Sequence, residues 1–221
     1  MEKLSVKDCL SFGWTSYKFR PWLFVQVTAL VVLVNIVIST IQSGVQKLGD
    51  LSLGPNSDLT VVVATIVGMA LSILVSMGKT AFYLGAHDSV EGSSIRALWH
   101  PYPYLKFVGT SILLGLAVLV GLILFIVPGI IIGLAFGFSL YLVIEEDLKP
   151  IDAFKKSAEI TKGNRWPLFV LGLALIGINI LGALLLLVGL LVTLPVSSLA
   201  IVHAYRTLAG HKTIEKVTVS S

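Results

Sequence analysis

Charged side chains vanish from the chain over four long stretches, and those stretches set the fold. They run from Pro21 to Gln46, Leu59 to Gly78, Phe107 to Ile144 and Trp166 to Tyr205. A helix crossing the roughly 30 Å hydrocarbon core of a bilayer needs about 20 apolar residues. The first two stretches therefore hold one crossing each, whereas the third, of 38 residues, and the fourth, of 40, have room for two. Each long stretch also carries a helix breaker, Val127-Pro128-Gly129 in one and Leu194-Pro195 in the other. Proline removes a backbone donor and clashes with the preceding turn, and glycine relaxes the backbone. Pro128 and Gly129 predict the turn between the third and fourth crossings. Pro195 lies late in its stretch and leaves two readings: a turn there, or a turn at Gly189 followed by a sixth helix kinked at Pro195. The pattern predicts an all-α integral membrane protein with six transmembrane helices as three hairpins. The expected spans are 21–42, 59–82, 106–127, 129–145, 166–187 and 190–207, in one domain over 1–208, with a polar cytoplasmic tail at 209–221.

The first apolar stretch exceeds the 7 to 15 residues of a signal-peptide core and lacks a small-residue cleavage site, so it reads as a retained helix. Basic residues orient the spans, because cytoplasmic loops are enriched in Lys and Arg. With both termini inside, all but Lys47 of the 16 Lys and Arg fall on the cytoplasmic side. Four- or five-helix alternatives spoil that segregation.

Short amphipathic helices are expected on the cytoplasmic side before the hairpins. Ser5 with Asp8 makes a capping-box-like start, and Val6, Cys9, Leu10, Gly13 and Tyr17 share a helical face. Pro150 suits a first helical position, Ile151, Phe154 and Ala158 share a face, and Gly163-Asn164 is a stop signal. Lys155, Lys156, Glu159 and Lys162 point the other way. With Arg165, the three lysines are candidate contacts for anionic headgroups if the helix lies in the interface; packed beneath the bundle, it is simply a connector. The starts Ser5 to Cys9, Ser94 to Leu98 and Pro150 to Phe154 align, and Arg20 with Leu23-Phe24-Val25 recurs as Arg165 with Leu168-Phe169-Val170. This is the trace of a threefold repeat, although the unequal spacing is also what unrelated apolar segments give.

Within the spans, small residues recur every fourth position: Ala64, Gly68, Ser72, Ser76 and Thr80, then Gly129, Gly133 and Gly137. Lipid gives apolar helices no hydrophobic reason to associate, so such stripes predict close helix packing, within one chain or between two copies. Polar residues at depth are Gln26, Asn35, Ser39, Ser111, Ser139, Asn179 and Thr193. An amide in hydrocarbon wants a partner, which makes Asn35 and Asn179 a candidate interhelical pair. No span centre holds an ionisable side chain, which disfavours an ion-coupled transporter. Lys79 and His203 come near cytoplasmic helix ends.

Composition agrees with the pattern. Residues are 56% hydrophobic and 13% charged, with mean hydropathy +0.94, against about 25% charged in soluble domains. The net charge of +4 sits at span ends and forms no nucleic-acid patch. Cys9 is the sole cysteine, and no Cys/His spacing fits a metal. No cofactor and no catalytic residue are expected. His87, Asp88, Glu91 and His100 read as a solvated loop, and Glu145-Glu146-Asp147 as surface partners for the lysines that follow. Trp22, Trp99, Trp166, Tyr102 and Tyr104 are expected as interfacial anchors.

The stretches Ile126-Val127-Pro128-Gly129-Ile130-Ile131, Tyr141 to Asp147, Ala153 to Ser157 and Thr161 to Trp166 carry a more specific likeness. Together they resemble a prokaryotic membrane family that includes the YciC-type inner-membrane proteins and the membrane domain of some glycerophosphodiester phosphodiesterases. The likeness is clearest over 105–166, and Pro195 with Ala204-Tyr205-Arg206 fits the family's last helix. The resemblance implies six helices in a prokaryotic cytoplasmic membrane and carries over no catalytic residue. The expected function is that of a non-catalytic module organising membrane lipids or a protein partner, with anionic headgroups or a second copy as contacts and no nucleic acid. The alternative is a passive transporter, channel or lipid-translocating protein.

Overall fold

A computed structural model of the chain describes residues 3–51, 57–90, 92, 98, 103–185 and 188–210. Glu91, Ser94 to Ala97, Trp99, His100, Tyr102, Lys212, Lys216 and nearly all of the expected tail lie outside the described residues. Among the described residues every regular element is helical: α1 (Val6–Phe19), α2 (Pro21–Leu51), α3 (Ser57–Asp88), α4 (Tyr104–Leu124), α5 (Ile126–Phe136), α6 (Ser139–Glu146), α7 (Pro150–Ile160), α8 (Arg165–Leu184) and α9 (Leu190–Ala209). Six segments of the described residues are long and apolar enough to cross a bilayer, counting α5 and α6 as one: Pro21–Leu48, Leu59–Asp88, Tyr104–Leu124, Ile126–Glu146, Arg165–Leu184 and Leu190–Ala209. These are the marks of a multi-pass membrane protein.

One end of the bundle gathers the charges, and side-chain contacts tie it together. The Leu4 amide donates to Asn164 at 3.1 Å, Arg20 to the Val90 carbonyl at 3.3 Å, and the Lys106 ammonium lies 2.7 Å from Asp147. Lys47 sits 27 residues beyond Arg20 (47 minus 20) near the far end of α2, about 40 Å away at 1.5 Å per residue. The packed core also lies in the charged half, around Phe24, Phe82, Phe107, Leu142, Leu199 and Tyr205. At the far end Leu33, Leu48, Leu59, Ile66, Ile123 and Leu184 are exposed, as lipid-facing positions should be. Helix α9 is the central post, packed against α1, α2, α3 and α8.

Three boundaries differ from the sequence expectation. Helices α2 and α3 run past residues 42 and 82, to Leu51 and Asp88, so His87 and Asp88 belong to a helix rather than to a loop. The turn expected at Pro128-Gly129 falls at Phe125, whose backbone is extended between α4 and α5. Pro128 instead occupies the first turn of α5, where its missing donor leaves no bond unmade. Gly129 is where the two helices touch: a Cβ there would lie 2.8 Å from the Leu122 backbone nitrogen. In the last pair the Gly189 alternative holds, with Pro195 inside α9 and fully buried.

The fourth crossing is also broken once more, at Gly137-Phe138 between α5 and α6. Apolar surroundings demand that backbone groups at such a break find partners. The Ala135 carbonyl finds two, accepting from the Ser157 hydroxyl at 2.8 Å and from Thr161 at 3.3 Å. Those hydroxyls fix the buried face of α7. It consists of Ala153, Phe154 and Ser157, while Ile151, expected on that face, is 62% exposed. The face of α1 agrees better with expectation, with Cys9, Gly13, Ser16 and Tyr17 buried and Ser5 capping Asp8 at 3.3 Å.

Candidate functional site

Sequence spacing shows the ends of α3, α6 and α9 as three unrelated charged segments; the fold joins them. Arg206 lies on the last turn of α9 with its side chain 8% exposed. Its guanidinium bonds the Glu145 carboxylate at the end of α6 and, at 2.6 Å, Asp88 at the end of α3. The Tyr205 hydroxyl donates to the same Glu145. Beside this tie, His87 Nε2 and His203 Nδ1 share a hydrogen bond of 3.2 Å, and the Phe12 ring of α1 stacks on His203 at 4.3 Å. A guanidinium is suited to this position because it stays ionised and presents several donors in one plane. The acidic triplet is thus divided: Glu145 serves Arg206, Glu146 binds Lys156 at 2.6 Å and Asp147 binds Lys106. Of these partners only Lys156 is among the lysines that follow.

About one to three helical turns further into the bundle, the same three helices and their neighbours α5 and α8 line a half-open cavity of about 410 Å³. Helix α3 contributes Ser76, Lys79, Thr80 and Tyr83; α6 contributes Tyr141; α9 contributes Ser198 and Ile201. Leu171, Gly172 and Leu175 of α8 form an apolar wall. The volume lies within the range of about 300 to 1,000 Å³ usual for small-ligand pockets. The site combines hydroxyl groups, one ammonium and an aliphatic wall, which suits an amphiphile.

The small-residue stripes therefore do two jobs. At the far end a Cβ on Gly68 would overlap the Gln42 side chain, and Ala64 and Gly68 line an apolar groove between α2 and α3. Nearer the charged end, Ser76 and Thr80 meet Gly133 and Gly137 across the cavity, and a Cβ on Gly133 would have only Val118 near it, at 3.9 Å. That part of the stripe lines space instead of closing it. Ser72 is half-buried on α3 between the two regions.

Asn35 and Asn179 do not pair. Asn35 is exposed and donates to the Val31 carbonyl of its own helix at 2.8 Å, which satisfies the amide without a neighbour. Asn179 donates to Ser197 at 3.0 Å and ties α8 to α9. Tyr104, expected as an interfacial anchor, instead donates to the Ala70 carbonyl of α3 at 3.2 Å. Trp22 and Trp166 are both exposed near the charged end. Of the expected headgroup contacts, Lys155, Lys162 and Arg165 are exposed, while Lys156 is held by Glu146. Lys155 and Lys156 also share a depression of about 400 Å³ with Asp152 and Glu159, which offsets their charge. The tie and the cavity escaped the sequence because neither has a local signature. One signal was present: an acid at the end of one uncharged stretch and an arginine at the end of another, on the same side, each needing a partner.

Comparison with known proteins reaches the same region. Residues 105–212 match a family described as a protein of unknown function, DUF975. That span contains the Pro-Gly, acidic and Lys-Gly-Asn motifs and every tie residue except Asp88. The chain is similar, at 28% identity over 231 aligned residues, to uncharacterized protein Rv2560 of Mycobacterium tuberculosis, covering 96% of this chain and 71% of the relative. The likeness to uncharacterized protein Mb2590 of Mycobacterium bovis has the same identity and coverage. No solved structure gives a significant match. The chain thus resembles an uncharacterised group of proteins.

Proposed function

We propose that this chain is a non-catalytic multi-pass protein of a prokaryotic cytoplasmic membrane that holds and organises membrane lipid at its charged end. In this reading it is built as three helical hairpins with amphipathic helices α1 and α7, and both termini and the charged end face the cytoplasm. The observation that carries the reading is the cavity of about 410 Å³, placed just inside the charge tie and walled by both hydroxyl and aliphatic side chains. The placing of nearly all Lys and Arg on that side supports the orientation. The motif running from Ile126 to Trp166 supports kinship with the YciC-type proteins and the phosphodiesterase membrane domain. Passive passage is the weaker reading, because Gln26 and Asn35 are exposed on α2 and Asn179 is bonded to Ser197, so these amides line no common path.

Two measurements test the proposal. In a Cys9→Ser background, Lys47→Cys should react with an impermeant maleimide from outside sealed, right-side-out cells, and Lys155→Cys only after permeabilisation. Reaction of both from the same side overturns the topology. Native mass spectrometry of the purified chain should show retained lipid, and a spectrum of bare protein alone would remove the lipid-holding role.

A further inference from the structure

The cavity holds a cation that no described residue neutralises. Lys79 is half-buried on α3, in a span, and among the described residues it makes no ion pair within 4 Å and no hydrogen bond. The other cations of this region are matched, Arg206 with Glu145 and Asp88, Lys106 with Asp147 and Lys156 with Glu146. Among the described residues, the nearby carboxylates Asp88, Glu145, Glu146 and Asp147 are therefore already committed. A partly desolvated ammonium among apolar helices calls for an anion.

Resting on the lipid-holding reading above, we propose that the cavity binds the phosphate headgroup of one anionic phospholipid, with Lys79 as its counter-ion. The Tyr141 phenol and the Ser76 hydroxyl line the same space and donate to no described residue, so they supply further hydrogen bonds to phosphate oxygens. Leu171, Leu175 and Ile201 offer the aliphatic contact that the glycerol and first methylenes of an acyl chain require. A space of about 410 Å³ is on the scale of a headgroup and not of a whole lipid. The acyl chains then remain in the bilayer. A soluble anion would fill only the polar part and leave the aliphatic wall unused.

Gly172 supplies the sharpest test. It lines the cavity, and a Cβ built there meets nothing within 4 Å, so Gly172→Leu adds bulk at the cavity wall from a position free of backbone contact and favours the helix. The full chain is placed in phosphatidylcholine nanodiscs with increasing dioleoylphosphatidylglycerol, and bound lipid is counted by native mass spectrometry. The wild type should retain one phosphatidylglycerol. Lys79→Met should weaken retention by roughly ten- to a hundredfold, as expected for losing a charge-assisted hydrogen bond, and Gly172→Leu should weaken it by occupying headgroup space. Lys79→Arg and the surface double variant Lys155→Ala/Lys162→Ala should retain it. Should Lys79→Met fail to fold, Gly172→Leu with a wild-type melting midpoint decides the question. Equal retention by both cavity variants overturns the site, as does loss confined to the surface variant. Displacement by millimolar inorganic phosphate would assign the pocket to a soluble anion and overturn the lipid. Retention of phosphatidylcholine but not phosphatidylglycerol would sink this inference and leave the broader reading standing, whereas loss of all lipid would sink both.

Discussion

Arg206→Met should lower the stability of the detergent-solubilised protein by about 3 kcal/mol, the low end of the 3 to 5 kcal/mol typical when one partner of a buried ion pair is removed. The reasoning is electrostatic. Truncation leaves Glu145, whose side chain is 19% exposed, with the Tyr205 hydroxyl but without its countercharge. Asp88 is 53% exposed and can return to water, which is why the estimate sits at the low end. Adding Glu145→Met to Arg206→Met should recover much of the loss, because an apolar pair of similar volume is often no worse than a buried ion pair. Lys156→Met breaks a pair whose side chains are 43% and 26% exposed, and should cost at most about 1 kcal/mol. The melting midpoints of these three variants against the wild type decide the matter. If Arg206→Met melts with the wild type, the three helix ends are not held by this tie.

The tie also shows which parts of the molecule were legible in the sequence. Hydropathy located the six segments long and apolar enough to cross a bilayer, because backbone in lipid must bond to itself, which ties span to length almost without reference to tertiary contacts. Caps were legible for the same local reason: Ser5 meets Asp8 three residues away, and Gly163 takes the positive φ of 85° that ends the segment after α7. The partners of Arg206 lie 61 and 118 residues away, and no periodicity encodes them. Inside a bilayer the usual guide to helix orientation is weak as well, since a span that is apolar all round shows no preferred face. Ala64, Gly68, Ser76, Gly133 and Gly137 thus read as one kind of position, although Gly68 is closed against Gln42 and Gly133 borders a cavity. Asn35 and Asn179 failed as a pair on the same ground: a polar residue in hydrocarbon needs a partner, but its own helix can supply one.

Helix α1 gives the second large effect, through its closest approach to α9. A Cβ on Gly13 would lie 2.6 Å from the Val196 carbonyl oxygen and 3.2 Å from the Ala200 nitrogen, both backbone atoms that cannot rotate aside. Gly13→Val must therefore lift α1, at about 1 to 3 kcal/mol for overpacking. Cys9 reports the movement, because it lies one turn earlier on the same face and is 1% exposed. Burial, reinforced by the neighbouring Asp8 charge, pushes its thiol up to about 12. At pH 8 a group with so high a pKa is protonated in the folded protein, with roughly one molecule in ten thousand as the reactive thiolate. Freed from α9, the thiol should return toward its ordinary value near 8.5, and maleimide labelling should accelerate by roughly two to three orders of magnitude. Cys9 is the sole cysteine, so the label has no other target. Gly85→Val, where a Cβ meets nothing within 4 Å, should leave the rate unchanged. Equal labelling of wild type and Gly13→Val would mean that α1 is not held against α9 through this glycine; fast labelling of the wild type would mean that it does not rest there at all.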